Sequence, residues 1–136
     1  MNNQYLYACG WHDKNAAEIP LKVLVVDDDR TLRESLRAAL ATYGFSVVSC
    51  ENATEALLHA MLEEFLFIVT DYSMPGMNGL ELTKRLREQF PFTIIIGMSG
   101  NDVGEEFLRI GANDFLQKPF AVHTLAMMID GGDILA

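Results

Sequence analysis

In this 136-residue chain, a few carboxylates, one hydroxyl and one ammonium each follow a short, β-forming apolar run. Asp27, Asp28 and Asp29 follow residues 22–26, and Asp71, Tyr72 and Ser73 follow residues 66–70, leading into Met74-Pro75-Gly76. Ser99 and Gly100 follow residues 93–98, and Lys118, Pro119 and Phe120 follow residues 114–117. On one rim, Asp27, Asp28 and Asp71 would repel one another strongly unless a cation sat among them. Oxygen-only ligation with room for water and a phosphate suits Mg2+ or Mn2+. Lys118 offers a point charge for a phosphate oxygen, and Ser99 beside Gly100 offers a hydrogen bond to another. Asp71, at the end of the central run, is the natural nucleophile, because a carboxylate can form an acyl phosphate. Each feature alone is ordinary: an Asp at a strand end is usually a turn residue or a helix cap, as expected for Asp29. Four such features at successive strand ends point together to a metal-assisted phosphoryl site.

The elements that must position these groups alternate regularly from Leu21 onward. Strand-like runs at 22–26, 46–50, 66–70, 93–98 and 114–117 are separated by longer segments of helical periodicity. In the first, Leu32, Leu36, Ala39, Leu40 and Tyr43 recur at three- and four-residue steps, with Arg33, Glu34 and Arg37 on the other face. Gly44 stands where a left-handed cap would stop that helix. The second segment covers 53–63, with Ala56, Leu57, Ala60 and Met61 inward, and the third covers 79–89, ahead of Pro91. Alternating strands and helices with nearly continuous apolar strands predict a doubly wound, three-layer α/β domain around a five-stranded parallel sheet. Ligands of such sheets bind beyond the carboxyl ends of the strands, where the reactive residues stand.

Residues 1–20 sit outside the alternation and read as an N-terminal arm, with Tyr5, Leu6, Tyr7 and Trp11 apolar enough to dock; residues 21–136 form the domain proper. Cys9 and His12 have no second ligand pair at zinc spacing, and pairing of Cys9 with Cys50 is the minority expectation. The start lacks the basic and apolar regions of a signal peptide, and no stretch of about twenty apolar residues is present. A cytoplasmic protein with reduced thiols follows as the default. Half the residues are apolar, and 10 Lys and Arg against 19 Asp and Glu give a net charge of -9. Such acidity disfavours direct binding to nucleic acid or to an anionic membrane. At this length a second, effector domain is not expected.

From about Leu21 to Asp130 the chain resembles the receiver domain of two-component response regulators, the CheY-like phosphoacceptor with a flavodoxin-like fold. The resemblance rests on VLVVDDD (23–29), VTDYSMPGMNGLEL (69–82), MSG (98–100) and GANDFLQKPF (111–120). It implies that Asp71 is the phosphoacceptor, that Asp27 and Asp28 hold Mg2+ with Asp71, and that the Ser73 backbone carbonyl is a further ligand. It implies that Ser99 turns toward the phosphoryl group, that Lys118 contacts it ahead of a cis Pro119, and that Phe115 is the switch aromatic. The implied donor is a sensor histidine kinase, a phosphotransfer protein or a small phosphodonor. The implied output is a conformational change read by a protein partner, or a phosphorylation-linked dimer, with only slow self-dephosphorylation.

Two departures from the family pattern stand out. Asn78 takes a position where the family often has Asp, at a helix entry. The interval from Ser99 to Phe115 is about one helical turn short, and Asn101-Asp102-Val103-Gly104 are poor helix formers, so the fourth helix should be short. A receiver fragment of a larger regulator or hybrid kinase is an alternative reading. A Mg2+-dependent aspartyl-phosphate phosphatase is another, weakened because Ser73 stands where such an enzyme wants an acid.

Overall fold

The structure is a computed structural model and describes residues 21–131; the arm at 1–20, with Cys9 and His12, lies outside the described residues. Among the described residues, five strands, β1 (Lys22–Val26), β2 (Ser46–Cys50), β3 (Phe67–Asp71), β4 (Ile94–Ser99) and β5 (Asp114–Gln117), alternate with five helices. The helices are α1 (Arg30–Ala41), α2 (Ala53–Leu62), α3 (Gly79–Gln89), α4 (Gly104–Arg109) and α5 (Val122–Gly131). Every strand pair is parallel, in the order β2-β1-β3-β4-β5. The doubly wound parallel sheet read from the sequence is what forms.

Alternation along each strand sends side chains into two separate cores. Val23, Val25, Phe67, Val69, Ile94, Ile96 and Met98 face α1 and α5, where Leu36, Leu40, Leu125 and Ile129 meet them. Leu24, Val26, Ile68 and Ile95 face α2, α3 and α4, meeting Ala56, Leu82, Leu86 and Phe107. Apart from the small Ala56, each of these side chains, withdrawn from water, stabilises the fold by about 2 kcal/mol before entropy is counted.

Local chemistry ends the elements where the site needs them. Asp29 caps α1, its carboxylate accepting from the backbone N–H groups of Thr31 at 2.9 Å and Leu32 at 3.3 Å. Asn78 caps α3 by accepting from the Glu81 N–H at 3.0 Å, so Asn in place of Asp leaves the cap intact. Gly44 has φ 90°, the left-handed conformation that closes the turn after α1. Helix α4 is six residues long with no side-chain cap, the short helix expected from the 99–115 interval.

Three expectations shift. Met61 is 67% exposed rather than inward, and Leu58 and Leu62 are exposed with it. Ala53, Ala56 and Ala60 make the buried face of α2 instead, because small residues let the helix lie close to the sheet. Arg33, placed with the solvent-facing charges, is only half exposed and binds the Asp27 backbone. Strands β3 and β4 run one residue further than the apolar runs, through Asp71 and Ser99, because the backbone ladder continues past the last apolar residue.

Candidate functional site

The strand order reverses between β1 and β3, and their carboxyl ends open a crevice. Asp27 follows β1 directly and is wholly buried; Asp71 ends β3 and is 6% exposed; Asp28 is exposed. Ligand oxygens from Asp27, Asp28 and Asp71 all lie within 4.8 Å of one another. Lys118, one residue past β5, reaches across the rim, its Nζ 2.8 Å from Asp27 Oδ2 and 3.1 Å from Asp71 Oδ1. Ser99 ends β4 and is buried, its Oγ accepting from the Asn101 N–H at 2.9 Å. Ser73 is exposed in the loop after β3, two residues from Asp71. The Lys118–Pro119 bond is cis. Phe115 is half-buried on β5, its ring 5.7 Å from that of Phe107.

The backbone around the acids is held tightly. The Asp29 N–H donates to Asp27 Oδ1 at 2.9 Å, and the Arg33 guanidinium donates to the Asp27 carbonyl at 2.8 Å. The Asp27 N–H donates to the Cys50 carbonyl at 3.1 Å, and the Tyr72 N–H to the Met98 carbonyl at 2.8 Å. Gly79, the first residue of α3, sits against the Asp71 carbonyl; a Cβ there would lie 2.1 Å from that oxygen. The Lys118 N–H donates to the Ser99 carbonyl at 2.8 Å, tying the last strand end to its neighbour. Arg33 and Gly79 were not singled out in the sequence, although a glycine directly after the Asn78 cap was a signal of close approach.

Electrostatics follow from this crowding. Burial, and then the charge of Asp27, push the Asp71 carboxyl above the usual carboxylate range, against the opposing pull of the Lys118 hydrogen bond. Burial pulls Lys118 down, but hydrogen bonds to Asp27 and Asp71, with their charges, outweigh it and leave its pKa raised. One ammonium among three carboxylates leaves the cluster net negative. Hard oxygen donors within one ion's reach, with Asp28 open to water, fit a small divalent cation that keeps part of its hydration shell. The donor set contains no sulfur or imidazole, which sets it apart from a zinc site.

Comparison with known proteins agrees with the geometry. Residues 23–130 match the family profile described as the response regulator receiver domain. The chain is 40% identical over 112 residues to the transcriptional regulatory protein FixJ of Bradyrhizobium diazoefficiens, covering 79% of this chain and 54% of FixJ. It is similar in structure to the chemotaxis response regulator CheY4 of Vibrio cholerae, with TM-score 0.76 and 32% identity over 82% of this chain and 97% of that one. The BeF3-activated DrrB receiver domain is also similar, with TM-score 0.76 and 25% identity over 86% of this chain and 98% of that one. The chain spans about half the length of the curated relatives it matches. Among the described residues no helix is long and apolar enough to cross a membrane.

Proposed function

This chain belongs to the response regulator receiver domain family of two-component systems, and from that premise we propose that Asp71 is its phosphoacceptor. The observation that carries the proposal is the meeting of Asp27, Asp28 and Asp71 within 4.8 Å, with the Lys118 ammonium on two of them. The donor is a phosphohistidine on a sensor kinase or phosphotransfer protein. One Asp71 carboxylate oxygen attacks phosphorus; the P–O bond forms, the P–N bond breaks, and the imidazole nitrogen keeps the electron pair. The product is an acyl phosphate on Asp71.

Asp27, Asp28, Asp71 and the Ser73 carbonyl would hold Mg2+ or Mn2+, which supplies positive charge to the oxygens of the transferring group. Lys118, already at Asp71, is placed to pair with a phosphoryl oxygen and to hold the acid in register. Ser99 donates a hydrogen bond from its hydroxyl to a second phosphoryl oxygen after letting go of the Asn101 N–H, and Phe115 follows the hydroxyl. The conformation so favoured is read by a protein partner, in the cytoplasm, where histidine kinases present their phosphoryl groups. The protein acts as a phosphoacceptor with slow self-dephosphorylation rather than as a turnover enzyme, since Ser73 provides no general acid beyond the acceptor.

The test is incubation with Mg2+ and acetyl phosphate, read by intact mass. The expected result is one added phosphoryl group on the unmodified protein and none on Asp71→Asn. Equal labelling of the two proteins would show that the acceptor lies elsewhere.

A further inference from the structure

Glycine 97 occupies the middle of β4, fully enclosed, where a β-branched residue would be the ordinary choice. A strand glycine often marks a close approach of another group, and here that group is the ring of Phe107. A Cβ on Gly97 would lie 2.5 Å from Phe107 Cδ1 and 2.6 Å from Cγ, so the ring rests on the β4 backbone itself. Phe107 is the one buried residue of α4 and is entirely enclosed.

The notch has specific neighbours. Gly97 is in register with Phe115 on β5 and with Thr70 on β3, so all three face the same core, and Ser99 follows two residues along on that face. The Phe107 ring lies 5.7 Å from Phe115 at 32°, and 6.4 Å from Tyr72, next to Asp71, at 77°. Phe115 also meets the start of α4, where a Cβ on Gly104 would lie 3.0 Å from its ring. Phe115 thus packs against both Phe107 and the start of α4, and the space directly over Gly97 is filled by the Phe107 ring.

We infer that Phe107, seated on Gly97, is a positioning residue that holds Phe115 in its half-buried place against α4 and so sets the resting balance of the switch. This rests on the acceptor reading above. For Phe115 to move toward Ser99, the Phe107 ring must yield, and α4 has no other buried anchor to resist or follow it. Anything that favours the inward state must work against this packing, so loosening it raises the apparent affinity of that state's ligands.

The experiment titrates beryllofluoride in the presence of Mg2+ and reads the bound fluoride by 19F NMR. Unmodified protein, Phe107→Leu, Phe115→Ala and the double variant are compared, with Asp71→Asn as control. Leucine keeps the site apolar while freeing space over Gly97. Phe107→Leu is expected to bind roughly three- to tenfold more tightly, a coupling of the size one packed contact carries. In the Phe115→Ala background the same substitution is expected to change affinity little, whereas a merely structural effect would persist there. Equal affinities for unmodified protein and Phe107→Leu, or a shift that survives in the Phe115→Ala background, would overturn this inference alone. Lack of bound fluoride on the unmodified protein would overturn the acceptor reading and this inference with it. If Phe107→Leu fails to fold, Phe107→Met, slender and adaptable, serves in the same four-way comparison.

Discussion

Lys118 donates a 2.8 Å hydrogen bond to Asp27 across 91 residues of sequence, making the wholly buried acid of β1 depend on a cation from the far edge of the sheet. The same ammonium lies 3.1 Å from Asp71. Lys118 therefore acts as an internal counter-ion within an acid cluster whose oxygens could hold a metal ion.

Removing that ammonium leaves the buried Asp27 without its ion-pair partner, still accepting from the Asp29 N–H. Lys118→Ala is expected to lower stability by about 3 kcal/mol in chelator, the loss typical when one partner of a buried pair is removed. Mg2+ should recover part of it by binding the folded acids only. Urea denaturation with and without Mg2+ measures both effects, and no recovery would show that the acids do not hold the ion.

Asp71 carries a pH dependence whose sign can be stated. Its folded pKa is raised by burial and by Asp27, so the folded state keeps the proton longer than the unfolded chain does. The linked stability is present below the ordinary carboxylate pKa and is lost as pH rises through the folded value. In metal-free solution Asp71→Asn, fixed neutral, should lack that loss and melt a few degrees higher at neutral pH. Melting curves of both proteins from about pH 4 to 7 decide it; parallel profiles would contradict the assignment.

The contact between Gly79 and the Asp71 carbonyl predicts a contrast between two glycines. A Cβ at Gly79 would come 2.1 Å from that backbone oxygen, whereas one at Gly76 meets nothing within 4 Å, though its φ is 81°. Gly79→Ala is expected to cost about 3 kcal/mol through overpacking and to slow labelling of Asp71. Gly76→Ala should cost about 1 kcal/mol, from backbone conformation alone. Similar losses in denaturant midpoint for the two would refute the close approach.

Cys50 ends β2 under the site, and burial followed by the charge of Glu55 pushes its thiol up to about 12. It should stay protonated at pH 8 and resist alkylation until the fold opens. In a Cys9→Ser background, iodoacetamide modification should track global unfolding in a urea series. Because the folded value lies above the ordinary 9.0, this thiol's contribution to stability is intact below pH 9 and is lost between there and about 12.

Much of this arrangement was legible in the chain. The five strands announced themselves as short apolar runs, and α1 and α3 as three- and four-residue periodicities with recognisable caps at Asp29 and Asn78. Parallel strands put their carboxyl ends on one side, so Asp27, Asp71, Ser99 and Lys118 had to share a rim whatever the details. The outward Met61 was not legible, because α2 is apolar on nearly every side and only the small volumes of Ala53, Ala56 and Ala60 decide which face approaches the sheet. Arg33 looked like a surface charge because its periodicity ignores a guanidinium long enough to reach back to the Asp27 carbonyl.

The sequence by itself determined the sheet, its direction and the membership of the acid cluster, because these follow from local period and from the one-sided geometry of parallel crossovers. Only the tertiary structure decided which two acids Lys118 pairs with, how closely Gly79 presses on Asp71, and that Phe107 fills the notch over Gly97. Those are contacts between residues far apart in sequence, governed by ångström-scale volume and orientation. A one-dimensional pattern carries the kinds of groups that meet but not the distances at which they meet.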